Sequence, residues 1–79
     1  MREEVLEKII ERASKIWNKD VSEFSKDTLF TDLEAKSAHY SQITTFLEDA
    51  FDIEVPYMNF KRCKSFDEAA GYVVELLEE

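Results

Sequence analysis

Residues 32–56 read DLEAKSAHYSQITTFLEDAFDIEVP, and the fold turns on how this stretch is parsed. Apolar side chains recur at Tyr40, Ile43, Leu47, Ala50 and Phe51, the threes and fours of one helical face. The spacing predicts a helix from Ser37 to Phe51, closed by Pro56, which disfavours helical geometry in Val55. Ser37 then falls at the helix N-terminus, where unpaired N–H groups and the positive end of the dipole favour a phosphate. A serine there also serves as an ordinary N-cap, and position alone does not separate the two roles.

Upstream, Lys19 to Lys36 breaks the helical period. Val21, Phe24, Leu29, Phe30 and Leu33 stand scattered among Ser, Thr and Asp, which reads as an ordered loop pinned by apolar anchors. A structureless loop of this length is uncommon inside a compact domain, so one or two helical turns are expected in it. It either delivers Ser37 to the surface or simply bridges two helices. Further back, Leu6, Ile9, Ile10, Ala13, Ile16 and Trp17 predict an amphipathic helix over Glu3–Asn18, with Glu7, Lys8, Glu11, Arg12 and Lys15 outward.

Downstream, YMNFKRCK after Pro56 suits a short helix. Tyr57, Phe60 and Met58 fit its one or two turns, with the aromatics expected in the core and Lys61, Arg62 and Lys64 offsetting nearby carboxylates. Ser65 and Glu68 have capping-box spacing ahead of a last helix whose buried face is Phe66, Ala69, Ala70, Val73 and Leu77. The expected fold is all-α and forms one domain over residues 1–79. It is a small bundle of three long helices and one short one, with a long ordered loop between the first two.

Asp32-Leu33, Lys36-Ser37-Ala38, the run Leu47 to Asp52, and Glu54-Val55-Pro56 fall, without a gap, where one family has its motifs. The stretch resembles the acyl carrier proteins. They carry Asp-Ser-Leu after an Asp-Leu-Gly-type loop, then an acidic helix and a Phe-Asp-x-x-Ile/Val-Pro run. The resemblance covers nearly the whole chain. It departs at Glu34, where Gly is usual, at Lys36, where Asp is usual, and at Ala38, where Leu is usual.

What the resemblance implies is a carrier and not an enzyme. A separate phosphopantetheinyl transferase would attach 4'-phosphopantetheine to Ser37, flanked by Lys36 and Ala38. The thiol of that arm would hold acyl chains as thioesters. Acyl-processing enzymes with basic surfaces would dock on Gln42, Glu48 and Asp49 of the outer helix face, which otherwise reads as plain solvated acid. The departures at Lys36 and Ala38 point to a specialised fatty-acid, lipid or polyketide-type pathway. The alternatives are an unmodified interaction module of the same fold, or an aminoacyl or peptidyl carrier.

Composition narrows the classes independently. The chain has 79 residues and a formal charge of −8, which argues against nucleic acid and for basic partner surfaces. The cluster of Lys61, Arg62 and Lys64 among aromatics is too short, and too surrounded by acid, to reverse this. One Gly and one Pro favour long helices over tight turns. A single Cys63 forms no internal disulfide, so no oxidising compartment is needed. MREEVLEKII lacks a signal-peptide apolar run and nothing reaches membrane-spanning length, so a cytoplasmic monomer is expected. Intrinsic catalysis is not expected. Ser37 and His39 point about 200° apart on a helix, one His and one Cys fall short of a zinc set, and Gly71 alone makes no phosphate loop.

Overall fold

In a computed structural model describing Met1–Glu79, helix α1 (Arg2–Trp17) forms the axis of the molecule. Its buried stripe is Val5, Ile9 and Ala13, with Leu6, Ile10, Ile16 and Trp17 half-buried beside it. The stripe is thus centred one residue earlier than the sequence pattern placed it. Glu3 and Glu4 occupy the first turn and Lys15 the last, each favourable to the dipole.

Helix α2 (Ser37–Phe51) has the predicted bounds, but two positions on its face differ. Ala50 is exposed, and Thr44, 5% exposed, takes a core place instead. The Thr44 hydroxyl is satisfied inside its own helix, donating to the Ser41 carbonyl at 3.0 Å. That bond removes the desolvation cost that otherwise keeps Thr out of cores. Pro56 also acts differently from expectation. α2 stops earlier, at Asp52 in the left-handed region (φ 52°), and Pro56 instead caps the short α3 (Tyr57–Lys61).

Helix α4 (Phe66–Glu78) packs along α1, while α2 packs on α1 and holds α3 against its own flank. No helix is long and apolar enough to cross a membrane. The fold is the all-helical bundle expected, with three long helices and one short.

The loop between α1 and α2 is tied down by backbone bonds that no local pattern signals. A 3-10 turn over Val21–Glu23 is capped by Asp20, whose carboxylate accepts from the Ser22 N–H and hydroxyl. Those bonds hold the Asp20 carboxyl below its ordinary pKa. Further on, the Phe30 N–H donates to the Lys64 carbonyl at 3.0 Å, and Phe66 and Asp67 N–H groups donate to Thr28 and Lys26 carbonyls at 2.9 Å. With Glu68 N–H donating to Ser65 Oγ, three of the four orphan donors at the start of α4 are satisfied and the Ser65 N–H is left without a partner, while Ala69 N–H makes the first bond of the helix, to the Ser65 carbonyl. The predicted Ser65 cap is present. The Glu68 carboxylate, however, reaches back to the Lys64 N–H at 2.8 Å, one residue beyond the usual capping-box partner.

Of the loop's apolar residues, Phe24 and Phe30 are buried and Leu33 half-buried. Val21, at 53% exposure, and Leu29, at 38%, are not the anchors expected, because backbone bonding holds their segment. Met58 lies in the short α3, as expected, with its side chain 61% exposed. Lys61, Arg62 and Lys64 also depart from expectation. None belongs to the ion pairs, which are Arg2–Asp67 and Lys8–Glu11, and Lys61 sits over the Tyr57 ring at 5.9 Å.

Glu34, where the family pattern has Gly, adopts φ 54° in the turn before α2. A side chain there costs about 1–2 kcal/mol, against roughly 0.4–1 kcal/mol of unfolded-chain entropy that glycine would add. Glu34→Gly is therefore expected to raise stability by about 0.5–1 kcal/mol in urea unfolding. A loss of stability would show that the exposed Glu34 side chain makes a favourable interaction of its own.

Candidate functional site

Ser37 is the first residue of α2, and its environment is built by residues from three helices. On the α1 side, the Trp17 indole N–H donates to the Leu33 carbonyl at 3.0 Å and its ring lies 4.7 Å from that of His39. His39 Nδ1 in turn accepts the Lys36 N–H at 2.8 Å. This is the reciprocal half of a capping box, with imidazole doing what Glu or Gln usually does. On the α3 side, the Tyr57 hydroxyl donates to the Ser37 carbonyl at 3.4 Å. Behind them, the Phe30 carbonyl accepts from Leu33 and Ala35, which closes the turn.

The N-terminus of α2 is finished differently from that of α4. Lys36 holds the N-cap position in extended geometry, and an ammonium side chain has no lone pair to offer the first turn. His39 and Tyr40 N–H groups use the Lys36 carbonyl, at 2.9 and 3.2 Å. The Ser37 and Ala38 N–H groups have no partner in the chain. Lys36, Ser37 and Ala38 are all exposed. An accessible hydroxyl thus stands beside two free N–H donors at the positive end of a 15-residue helix. Of the two roles open to it, Ser37 does not act as N-cap: it is a helical residue, and its hydroxyl makes no bond within the chain.

His39 is not a base for Ser37, since its ring is committed to Lys36 and Trp17. Cys63 is half-buried, with its thiol directed at the Asn59 carbonyl at 3.9 Å. Burial first, then the charges of Glu68 and Glu75, push its pKa up and disfavour a reactive thiolate. Burial likewise raises Tyr40, with smaller contributions from Tyr57 and Cys63.

The three predicted docking residues part company. Gln42 and Asp49 are exposed on the outer face of α2. Glu48 is not an outward charge: it is half-buried, and its carboxylate accepts the Val55 N–H at 2.9 Å, bracing the turn after α2. A helix-wheel reading misses this because the partner lies seven residues on, outside the helix.

Gln42 and Asp49 share a shallow groove of about 380 Å³ with Ser41, Thr45, Phe46 and, from α1, Arg12. Arg12 is half-buried instead of pointing to solvent, with its guanidinium 5.7 Å from the Phe46 ring centre. Its Nε is shielded from water and has no acceptor. A buried donor left so costs about 1–3 kcal/mol. Sequence reasoning placed Arg12 among outward charges and Trp17 among core residues. His39 was legible only as an N3 residue three places after Lys36.

Compared with known proteins, the chain is similar to acyl carrier proteins from two bacteria. It is 37% identical over 75 residues to that of Rubrobacter xylanophilus, covering 94% of this chain and 93% of the other. It is 35% identical over 71 residues to those of two Streptococcus pneumoniae strains, covering 90% and 93%. No protein-family model and no solved structure matches it.

Proposed function

We propose that this chain, which belongs to the acyl carrier protein family, holds acyl groups as thioesters on a phosphopantetheine arm attached to Ser37. The observation that supports it most is the contrast between helix starts. At the start of α4 the Ser65 hydroxyl and three of the four N–H donors are bonded, whereas α2 leaves two N–H donors free beside an exposed, unbonded serine hydroxyl. Those donors suit the phosphate that the attached group would bring. When bound, the group supplies a thiol for thioester formation. The Ser37 hydroxyl is only the acceptor: its Oγ–phosphorus bond forms as the phosphoanhydride of coenzyme A breaks and adenosine 3',5'-bisphosphate leaves, and its proton goes to a base of a separate transferase. Mass measurement of the modified protein tests the assignment.

Partners are acyl-processing enzymes with basic surfaces. With Glu48 engaged by the Val55 N–H, the docking role falls to Gln42 and Asp49. Asp49→Lys is expected to slow association with such an enzyme and flatten its salt dependence. Glu48→Gln should act on stability instead. An unchanged affinity and salt slope for Asp49→Lys would leave this face as ordinary solvated surface.

The pathway is a specialised one, read from the flanks of Ser37. Lys36 is exposed, belongs to no ion pair, and puts a positive charge where the family has a negative one. A partner with Arg or Lys aimed at that Asp would meet a like charge. Ala38 withdraws a Leu-sized contact worth about 1.5–3 kcal/mol when fully buried. Lys36→Asp/Ala38→Leu, carrying the arm, is expected to outcompete wild type for a general fatty-acid synthesis enzyme. Equal use of both would end the specialised reading.

A further inference from the structure

Along α2, Ser37, Ser41, Thr45 and Asp49 recur every four residues, so they form one row that drifts slowly round the helix. Ser41 and Thr45 are exposed and small, which makes the row a low track between bulkier neighbours. It leads from Ser37 into the groove shared by Gln42, Phe46 and Arg12. At the end of it stands the one buried side-chain donor in the molecule that has no acceptor, Arg12 Nε, lying against the Phe46 ring. Arg12 belongs to neither ion pair, although the chain carries a net charge of −8.

We infer that the groove between α2 and Arg12 is the resting site of the phosphopantetheine arm, with an arm carbonyl accepting from the terminal N–H groups of the Arg12 guanidinium, whose Nε–H signal reports the contact. The inference rests on attachment of the arm to Ser37. Arm chemistry matches the lining in kind. Its geminal methyl groups suit the Phe46 ring, and its hydroxyl and amides suit Ser41, Gln42 and Thr45. Thr45 lies about 12 Å along the helix axis from Ser37, at 1.5 Å per residue, which is within reach of a tethered arm. Phe46 is the only apolar residue of the lining. The groove is therefore too polar to hold an aliphatic acyl chain, and it selects the arm over its cargo.

The test compares nitrogen-15 spectra, including arginine Nε–H signals, of the apo protein and of protein modified with coenzyme A and a transferase. Intact mass first establishes that the arm is present. The expected result is displacement of the Arg12 Nε–H and of the Ser41, Gln42 and Thr45 amides, with cross-relaxation between the arm methyls and the Phe46 ring. Two variants should lose that cross-relaxation while still accepting the arm: Thr45→Arg, which fills the groove from an exposed position, and Arg12→Met, which keeps packing on Phe46 but has no donor. Changes confined to residues 36–40, in protein whose mass shows the arm, overturn this inference and leave attachment standing. Failure of both wild type and Lys36→Asp/Ala38→Leu to gain the arm overturns this inference and attachment together.

Discussion

Ser37→Ala is expected to gain no mass on incubation with coenzyme A and a phosphopantetheinyl transferase, whereas wild type gains one phosphopantetheine. The effect is total because the hydroxyl is the bond-forming atom, and neighbouring hydroxyls do not replace it. Ser41 and Thr45 are exposed one and two turns further along the same helix, but their N–H groups lie inside the hydrogen-bonded helix. Along α2, only at Ser37 do a hydroxyl and free N–H donors meet. The Ser37 hydroxyl makes no bond within the chain, so the variant should unfold within about 0.5 kcal/mol of wild type. Loss of modification is then not loss of fold. Persistent labelling of Ser37→Ala would move the site elsewhere. A wild type that stays unlabelled while Lys36→Asp/Ala38→Leu is labelled would assign the obstacle to the flanks and keep Ser37 as acceptor. If neither is labelled, the chain is an interaction module of carrier fold.

The bundle was legible in the sequence wherever burial follows a helical period. The positions of α1, α2 and α4, the short helix after Pro56 and the Ser65 cap all rest on local spacing. What stayed hidden depends on atoms distant in the chain. The loop looked like a string of hydrophobic anchors, yet carbonyls of Lys26 and Thr28 and the N–H of Phe30 stitch it to residues 64–67. Backbone groups have no side-chain signature, so Val21 and Leu29 were given work the main chain does. Glu48 read as a surface charge for the same reason, its partner being a main-chain N–H beyond the helix. Thr44 and Ala50 show a second limit. A hydroxyl bonded within its own helix can enter the core, while a lone Ala on the predicted face is small enough to stay out. At the candidate site, the position of Ser37 at the start of α2 was legible from the helical period. The Trp17–His39–Lys36 bracket that holds the helix start was not, because His is an unusual N3 partner.

Phe30→Ala is expected to be the most costly truncation, about 3–5 kcal/mol, by the cavity it leaves. Phe30 is 1% exposed and sits amid aromatic rings, 5.1 Å from Tyr40, 6.0 Å from Phe60 and 5.0 Å from Phe66. Such pairs each add about 0.5–1.5 kcal/mol beyond burial, which pushes the cost toward the upper end. Three helices meet on this one loop residue, so no single element can relax to fill the space. At roughly 0.05–0.15 kcal/mol per residue, a domain of this size has about 4–12 kcal/mol in total, so the variant sits near the edge of folding. Phe51 is the comparison. It occupies the predicted face of α2 but is only half-buried, so Phe51→Ala should cost clearly less. The consequence for function is local, because the Phe30 carbonyl closes the turn that delivers Ser37. Phe30→Ala should therefore expose that turn to hydrogen exchange and slow modification of Ser37 even in its folded fraction, while Phe51→Ala, matched in denaturant to the same folded fraction, should not. A urea midpoint for Phe30→Ala at or above that of Phe51→Ala would show that the aromatic cluster is not the keystone of the loop.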